Sequence, residues 1–267
     1  MPTSLRPDIK KLFPDWVNTD KYFDLCLSND IDSLLSCVVL EKIKGYKINY
    51  FYDFNNIYST NQAINKAIAI DVDLKEGKCW GNHVVIEENK ESANLNRVLN
   101  ISQENYSQKY AGSTLLTILS YYDVDISHLS EEGKMILLCI DSAYLGFYNN
   151  DFKEVHIYYM RDILQFPELV EIEERHKKEE FEELQRKYRL KEKIKINKEG
   201  MLYTKIDLDG LGVILNMPLK LPDIQFSLRK SFETDLITHQ YYTTIRNFVN
   251  IFSLAMIKKD SIKFSFY

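Results

Sequence analysis

The chain has 267 residues, 45% of them hydrophobic and 27% charged, with a formal net charge of −5. That balance belongs to a folded globular protein, long enough for one large domain or two modest ones. It excludes a broadly basic nucleic-acid coat, since any nucleic acid must meet a local basic patch or a metal. The scarcity of Gly (9) and Pro (6) argues against a long disordered linker.

Residues 1–16 are charged and carry Pro2, Pro7 and Pro14. They hold no apolar signal core, and no segment has the length to span a bilayer, so a cytoplasmic protein without a membrane partner is expected. Cys26, Cys37, Cys79 and Cys139 form no C-x-x-C pair, and three of them lie in apolar runs. They read as reduced, buried core thiols.

The apolar run at 22–27 predicts a buried strand. Asp30 and Asp32 follow it, and then Leu34, Leu35, Val38, Val39 and Ile43 recur at helical spacing up to Gly45. Residues 47–54 alternate as a strand, and 55–66 are polar and turn-like, with room for a short helix. Ala67-Ile68-Ala69-Ile70 predicts a second buried strand, which also ends in aspartates, Asp71-Val72-Asp73. A further strand is expected over 79–86, carrying Asn82 and His83, before a loop-rich stretch at 87–105. Helices are expected at 115–122, at 134–144 with Asp141 inside it, and at 151–166, where Pro167 stops it. This succession predicts an α/β fold, a mostly parallel sheet flanked by helices.

Residues 169–195 are the most charged stretch, with a thin apolar stripe of Val170, Ile172, Phe181, Leu184, Tyr188 and Leu190. They predict a long solvated helix joining two domains, the alternative being a helix packed flat along one domain. Beyond it, strands are expected at 201–207 and 212–216 around Asp209-Gly210, a strand at 224–228, a helix at 234–256 and a closing strand at 261–267. The expected division is an α/β domain over 1–165, a connector helix over 166–195 and a small α+β domain over 196–267.

Asp30, Asp32, Asp71, Asp73 and His83 are read as ending strands on the edge where open α/β sheets bind ligands. Each has a plain explanation: Asp32 as a helix cap, Asp30 as a turn residue, His83 as a satisfied core histidine. Asp141 sits in an apolar segment with no Lys or Arg within a helical turn on its C-terminal side. Burying it unpaired is unfavourable by several kcal/mol, and a shared cation is the economical partner for the whole set.

The order of these motifs resembles the DHH phosphoesterase superfamily, which includes RecJ-type exonucleases, nanoRNases and cyclic-dinucleotide phosphodiesterases. Ser28-Asn29-Asp30-Ile31-Asp32-Ser33 looks like its first motif, Asp71-Val72-Asp73 its second, Gly81-Asn82-His83 its third and Ile140-Asp141-Ser142-Ala143-Tyr144 its fourth. Three departures stand out: Ser28 or Cys26 where the first motif carries histidine, Gly-Asn-His in place of Asp-His-His, and no Gly-Gly-His loop near the C-terminus.

The resemblance implies a metal-dependent phosphodiesterase that hydrolyses nucleotides or short single-stranded RNA or DNA. Two Mn²⁺ or Mg²⁺ ions would be held by Asp30, Asp32, Asp71, His83 and Asp141, with Asp71 bridging. Asn82 would orient a phosphate oxygen or a metal-bound water. Ser227, Arg229 and Lys230 of the C-terminal domain would contact substrate. On this alignment Asp73 is expected to point away from the site, and a homodimer is allowed for. The alternative is a degenerate member that binds a nucleotide, a nucleic-acid end or a protein partner without turnover.

Overall fold

Four consecutive buried residues, Asp24–Leu27, form the strand on which the sheet is built. Burial on both faces is what a central parallel strand requires, and it explains the unbroken apolar run. The computed structural model describes residues 4–267; the first three residues of the charged N-terminal stretch, Pro2 among them, lie outside the described residues. In chain order the elements are α1 (Pro7–Lys10), β1 (Asp24–Leu27), α2 (Ile31–Lys44), β2 (Lys47–Tyr52), β3 (Asn56–Ser59), β4 (Ala67–Ile70), β5 (Cys79–Gly81), β6 (Ser92–Asn94), α3 (Leu95–Val98), α4 (Thr114–Tyr121) and α5 (Glu131–Cys139). They continue with α6 (Lys153–Ile157), α7 (Pro167–Arg175), α8 (Lys178–Lys187), β7 (Lys195–Ile196), β8 (Leu202–Tyr203), α9 (Leu208–Ile214), β9 (Ser227–Ser231), β10 (Glu233–Thr238), α10 (His239–Ile245), β11 (Ile251–Lys258) and β12 (Ser261–Phe266).

The large sheet has seven strands in the order β6-β5-β4-β1-β2-β3-β9. The pairs β1–β2, β1–β4, β4–β5 and β5–β6 are parallel, and β3 and β9 extend the sheet antiparallel. The expected mostly parallel sheet with flanking helices is therefore present. α2 starts where Asp30 caps it and stops at Gly45, whose φ of 71° suits the left-handed C-terminal position. α4 packs against α2. The four cysteines are free and buried, as their apolar settings implied. Among the described residues no helix is long and apolar enough to cross a membrane.

Several expected elements take another form. The stretch at 55–66 supplies the strand β3 rather than a helix. Residues 134–144 are not one helix: α5 ends at Cys139, and Asp141 and Ser142 take left-handed backbone angles (φ 52° and 57°) at a kink. The charged stretch is no free-standing connector. It is two short helices, α7 and α8, separated at His176 by an extended residue (ψ 160°). Their apolar stripe is buried: Leu169, Ile172 and Phe181 are essentially inaccessible, Phe181 stacks on Tyr144 at 5.0 Å, and both helices lie against α5. Pro167 at the first turn and the break at His176 let two short apolar faces, rather than one thin stripe, reach the core.

The C-terminal third also differs. Asp207 caps a helix (Gly210 N–H to Asp207 Oδ1, 3.0 Å), so α9 replaces the strand expected at 212–216. β9 joins the large sheet, not a small separate unit starting at 196. Residues 234–256 form β10, α10 and β11 instead of one helix. Their Leu, Ile, Phe and Val spacing meets the helical pattern by chance, while cross-strand pairing with β12 takes the β-branched and aromatic residues. The resulting three-stranded sheet, β10-β12-β11, is fastened to the loops leaving β4 and β5. Leu254 N–H donates to Asp73 C=O and Met256 N–H to Val84 C=O, each at 2.9 Å. The Tyr52 hydroxyl meets Ser253 and Ser265.

Candidate metal centre

From β1 the chain moves to β2 on one side and, later, to β4 on the other. At such a switch point the loops leaving two adjacent parallel strands diverge and open a crevice at their C-terminal ends. Asp30 and Asp32 follow β1, Asp71 follows β4, and Asn82 and His83 follow β5. A cleft of about 430 Å³ lies there, lined by Asp30, Asp71, Asp73, Asn82, His83 and Asp141. β11 and β12 of the small sheet contribute the opposite wall, including Leu254, Lys263 and Phe264.

One carboxylate oxygen each of Asp32, Asp71 and Asp141 lies within 4.8 Å of the other two. Asp32 is fully buried and accepts the Thr114 N–H at 2.7 Å and the Leu115 N–H at 2.8 Å. Ser113 takes the next amide of α4, that of Leu116, at 3.2 Å. Asp32 thus caps α4 from another helix, where unpaired amides favour a negative charge. Asp71 accepts the Thr114 hydroxyl at 2.8 Å, and its φ of 57° aims it off the end of β4. Asp141, on the kink, accepts the Asn82 side-chain amide at 2.7 Å. These donors fix three carboxylates, and among the described residues none of the three has a Lys or Arg within ion-pair distance.

Like charges this close raise one another's pKa. Burial, then Asp141 and Asp30, push Asp32 well above the usual carboxylate range. Burial, then Asp32, Asp30 and Asp141, do the same to Asp71. Asp141 is exposed at the residue level rather than buried as its apolar setting suggested, yet crowding of its carboxylate and the charge of Asp30 raise its pKa too, with His83 and Asn82 opposing. Asn82 is 8% exposed, and its Oδ1 is buried without a hydrogen-bond partner. Hard oxygens held in place without a cation of their own, beside an unused acceptor, fit a divalent ion such as Mg²⁺ or Mn²⁺.

His83 takes a different position from the one expected. Its Nδ1 lies 3.3 Å from Asp73 Oδ2, and its backbone N–H donates to the same oxygen at 3.1 Å. The imidazole is outside the three-carboxylate group. Asp73 does not point away. It is buried, lines the cleft and also accepts the Asn94 amide at 2.6 Å. Three residues beyond the strand end the backbone has already turned at Asp71, so the alternation of an extended segment no longer applies. Gly81 is required beside it, because a β-carbon there would overlap the Asp73 carboxylate. Burial opposes protonation of His83, but the hydrogen bond and charge of Asp73 outweigh it and raise the pKa.

Asp30 lines the cleft and pairs with Lys193. Ser227, Arg229 and Lys230 do not line it. They lie on β9, which β2 and β3 separate from β1; Arg229 Nε donates to Ser59 Oγ at 2.6 Å, and Lys230 sits over the Tyr267 ring. The basic side chains of the cleft are instead Lys109, Lys193 and Lys263. Nothing in the sequence distinguishes Lys193 from its charged neighbours. Thr114 could have been noticed, since Gly112-Ser113-Thr114 opens a helix in the way a ligand-facing N-terminus does.

No protein-family model matches this chain, and neither a curated protein nor a solved structure shows significant similarity to it.

Proposed function

We propose that this chain is a metal-dependent phosphoesterase acting on a nucleotide or a short single-stranded RNA or DNA. The observation that carries the reading is the convergence of Asp32, Asp71 and Asp141 at the switch point of a parallel sheet, within 4.8 Å and, among the described residues, without a Lys or Arg at ion-pair distance. A divalent cation bound there would lower the pKa of a water and polarise a phosphoryl oxygen.

The chain's own residues supply the rest. Thr114 holds Asp32 and Asp71 in register, and Asn82 holds Asp141. Lys109 and Lys263 line the cleft, the first hydrogen-bonded to Tyr106 and the second over the Phe54 ring. They neutralise phosphate oxygens as point charges. His83, 40% exposed and with its pKa raised by Asp73, is placed to hand a proton to the leaving oxygen. The volume of the cleft suits a small substrate, and the net charge of −5 does not favour a long duplex, which needs many basic contacts.

A second reading, binding without turnover, is favoured by the withdrawal of His83 onto Asp73. An assay separates the two: dinucleotides, cyclic dinucleotides, short single-stranded DNA and short RNA, each with millimolar Mn²⁺. Turnover of one of them, abolished in Asp71→Ala, is the expected result. If none is cleaved while one binds, and that binding survives Asp71→Ala, the enzyme reading fails and the binding module replaces it.

A further inference from the structure

The place beside Asp30 is filled by a cation of the chain itself. Lys193 Nζ lies 3.1 Å from Asp30 Oδ2, and both residues line the cleft with Asp71 and Asp141. The backbone around Lys193 is fixed at the turn that carries Asp30. Ile194 N–H donates to Asn29 C=O at 2.8 Å, and the Thr204 hydroxyl donates to Lys193 C=O at 3.2 Å. The other oxygen of Asp30 accepts the Ser33 N–H at 3.3 Å, so both its oxygens are engaged.

Two-metal phosphoryl transfer needs further ligands beyond one shared set. Here the two residues available for a second ion are both committed: Asp30 to Lys193, and His83 to Asp73. The group able to converge on an ion contains neither. Meanwhile Asn82 Oδ1 is buried with no partner on a side chain facing the cleft, an acceptor waiting for a donor from a ligand.

We infer that this is a one-ion centre in which the Lys193 ammonium, held by Asp30, stands where a second cation would be and contacts a phosphate oxygen of the substrate. The inference rests on the metal centre proposed above. An ammonium gives one positive charge and three donors but does not acidify water as a divalent ion does, so its task is to hold and neutralise phosphate. Its half-exposed position leaves it free to turn from Asp30 toward a ligand.

The test is Mn²⁺ stoichiometry on the full chain, read by electron paramagnetic resonance, together with calorimetric binding of inorganic phosphate to the Mn²⁺-loaded protein. The wild type is expected to bind one Mn²⁺, and Asp30→Asn to bind one as well, since Asp30 is not a ligand. In Lys193→Ala, Asp30 is released and a second, weaker Mn²⁺ appears. Phosphate affinity falls about tenfold in Lys193→Gln and recovers in Lys193→Arg, the magnitude of one charge-assisted contact. Two ions on the wild type, or a single ion retained in Lys193→Ala, overturn the assignment of Lys193 and leave the metal centre standing. No Mn²⁺ on a folded wild type overturns the metal centre itself.

Discussion

The Asn82 side-chain amide donates to Asp141 across 59 residues of sequence, at 2.7 Å, and to the Gly112 carbonyl at 3.1 Å. It ties the loop after β5 to the kink after α5, and so sets where the third carboxylate of the cluster stands. Asn82→Ala removes both bonds and leaves two acceptors without that donor, which destabilises by about 1–3 kcal/mol. Losing the orienting partner of a ligand should also weaken Mn²⁺ binding by about 10–100-fold. Urea unfolding and Mn²⁺ titration of the same variant check both effects.

Asp71→Asn should separate stability from metal binding. Asparagine keeps the shape, tolerates the left-handed backbone at φ 57° and can still accept the Thr114 hydroxyl. Without metal the variant is expected to be more stable than the wild type by about 1 kcal/mol, because a like charge is removed from beside buried Asp32 and exposed Asp141. With Mn²⁺ at a hundred times its dissociation constant the wild type gains about 2.7 kcal/mol, several degrees in Tm, and the variant gains little. A wild-type Tm unmoved by Mn²⁺ and by chelator would contradict the site.

Gly81→Ala places a β-carbon on the Asp73 carboxylate and must displace it. Overpacking of this kind is unfavourable by about 1–3 kcal/mol. The informative readout is the His83 imidazole: with Asp73 moved, its pKa should fall toward the ordinary histidine value, followed by NMR titration. In the enzyme reading, His83→Gln lowers kcat by about 10²–10⁴-fold while KM changes little.

His176 provides a pH dependence away from the cleft. It sits between α7 and α8, with Nε2 2.7 Å from Glu131 and Nδ1 3.0 Å from Glu180. Partial burial opposes its protonated form, but the two glutamates outweigh it and raise the pKa above the usual value. A raised folded-state pKa means the contribution is complete below the unfolded value of about 6.5 and is lost as pH rises through the higher folded value. The wild-type Tm, compared with that of His176→Asn, should therefore fall between mildly acidic and mildly alkaline pH. The difference will be small, because both glutamates are half exposed. A Tm difference constant across that range contradicts the assignment.

The strand-then-aspartate pattern was legible because parallel strands are apolar on both faces and carry their polar residues at the ends. Asp30, Asp32 and Asp71 stand out for that reason. The partners were not legible. Thr114 reaches Asp32 over 82 residues, and Lys193 reaches Asp30 over 163. Nothing local in a Thr or Lys records such a pairing. The stretch at 234–256 was misread because its apolar spacing satisfies a helix and a strand alike, and only the presence of β12 decides between them. Asp73 was misread because the turn at Asp71 changes which way the chain faces, and an aspartate at positive φ leaves no mark in a sequence.

Phe232 is buried at the point where the chain leaves β9 in the large sheet and enters β10 in the small one. β9 closes onto β3, with Arg229 bonded to Ser59 across 170 residues, and the Tyr52 hydroxyl waits for Ser265, 213 residues later. During synthesis, therefore, neither sheet can be finished until β9 to β12 have left the ribosome, as these separations and the slow closure of distant strand pairs require. Until then β3 is a bare edge and the cleft lacks one wall. A chain stalled or cut just before β9 would present both to its neighbours, which makes the interval before β9 to β12 emerge the moment at which this fold is most exposed to aggregation.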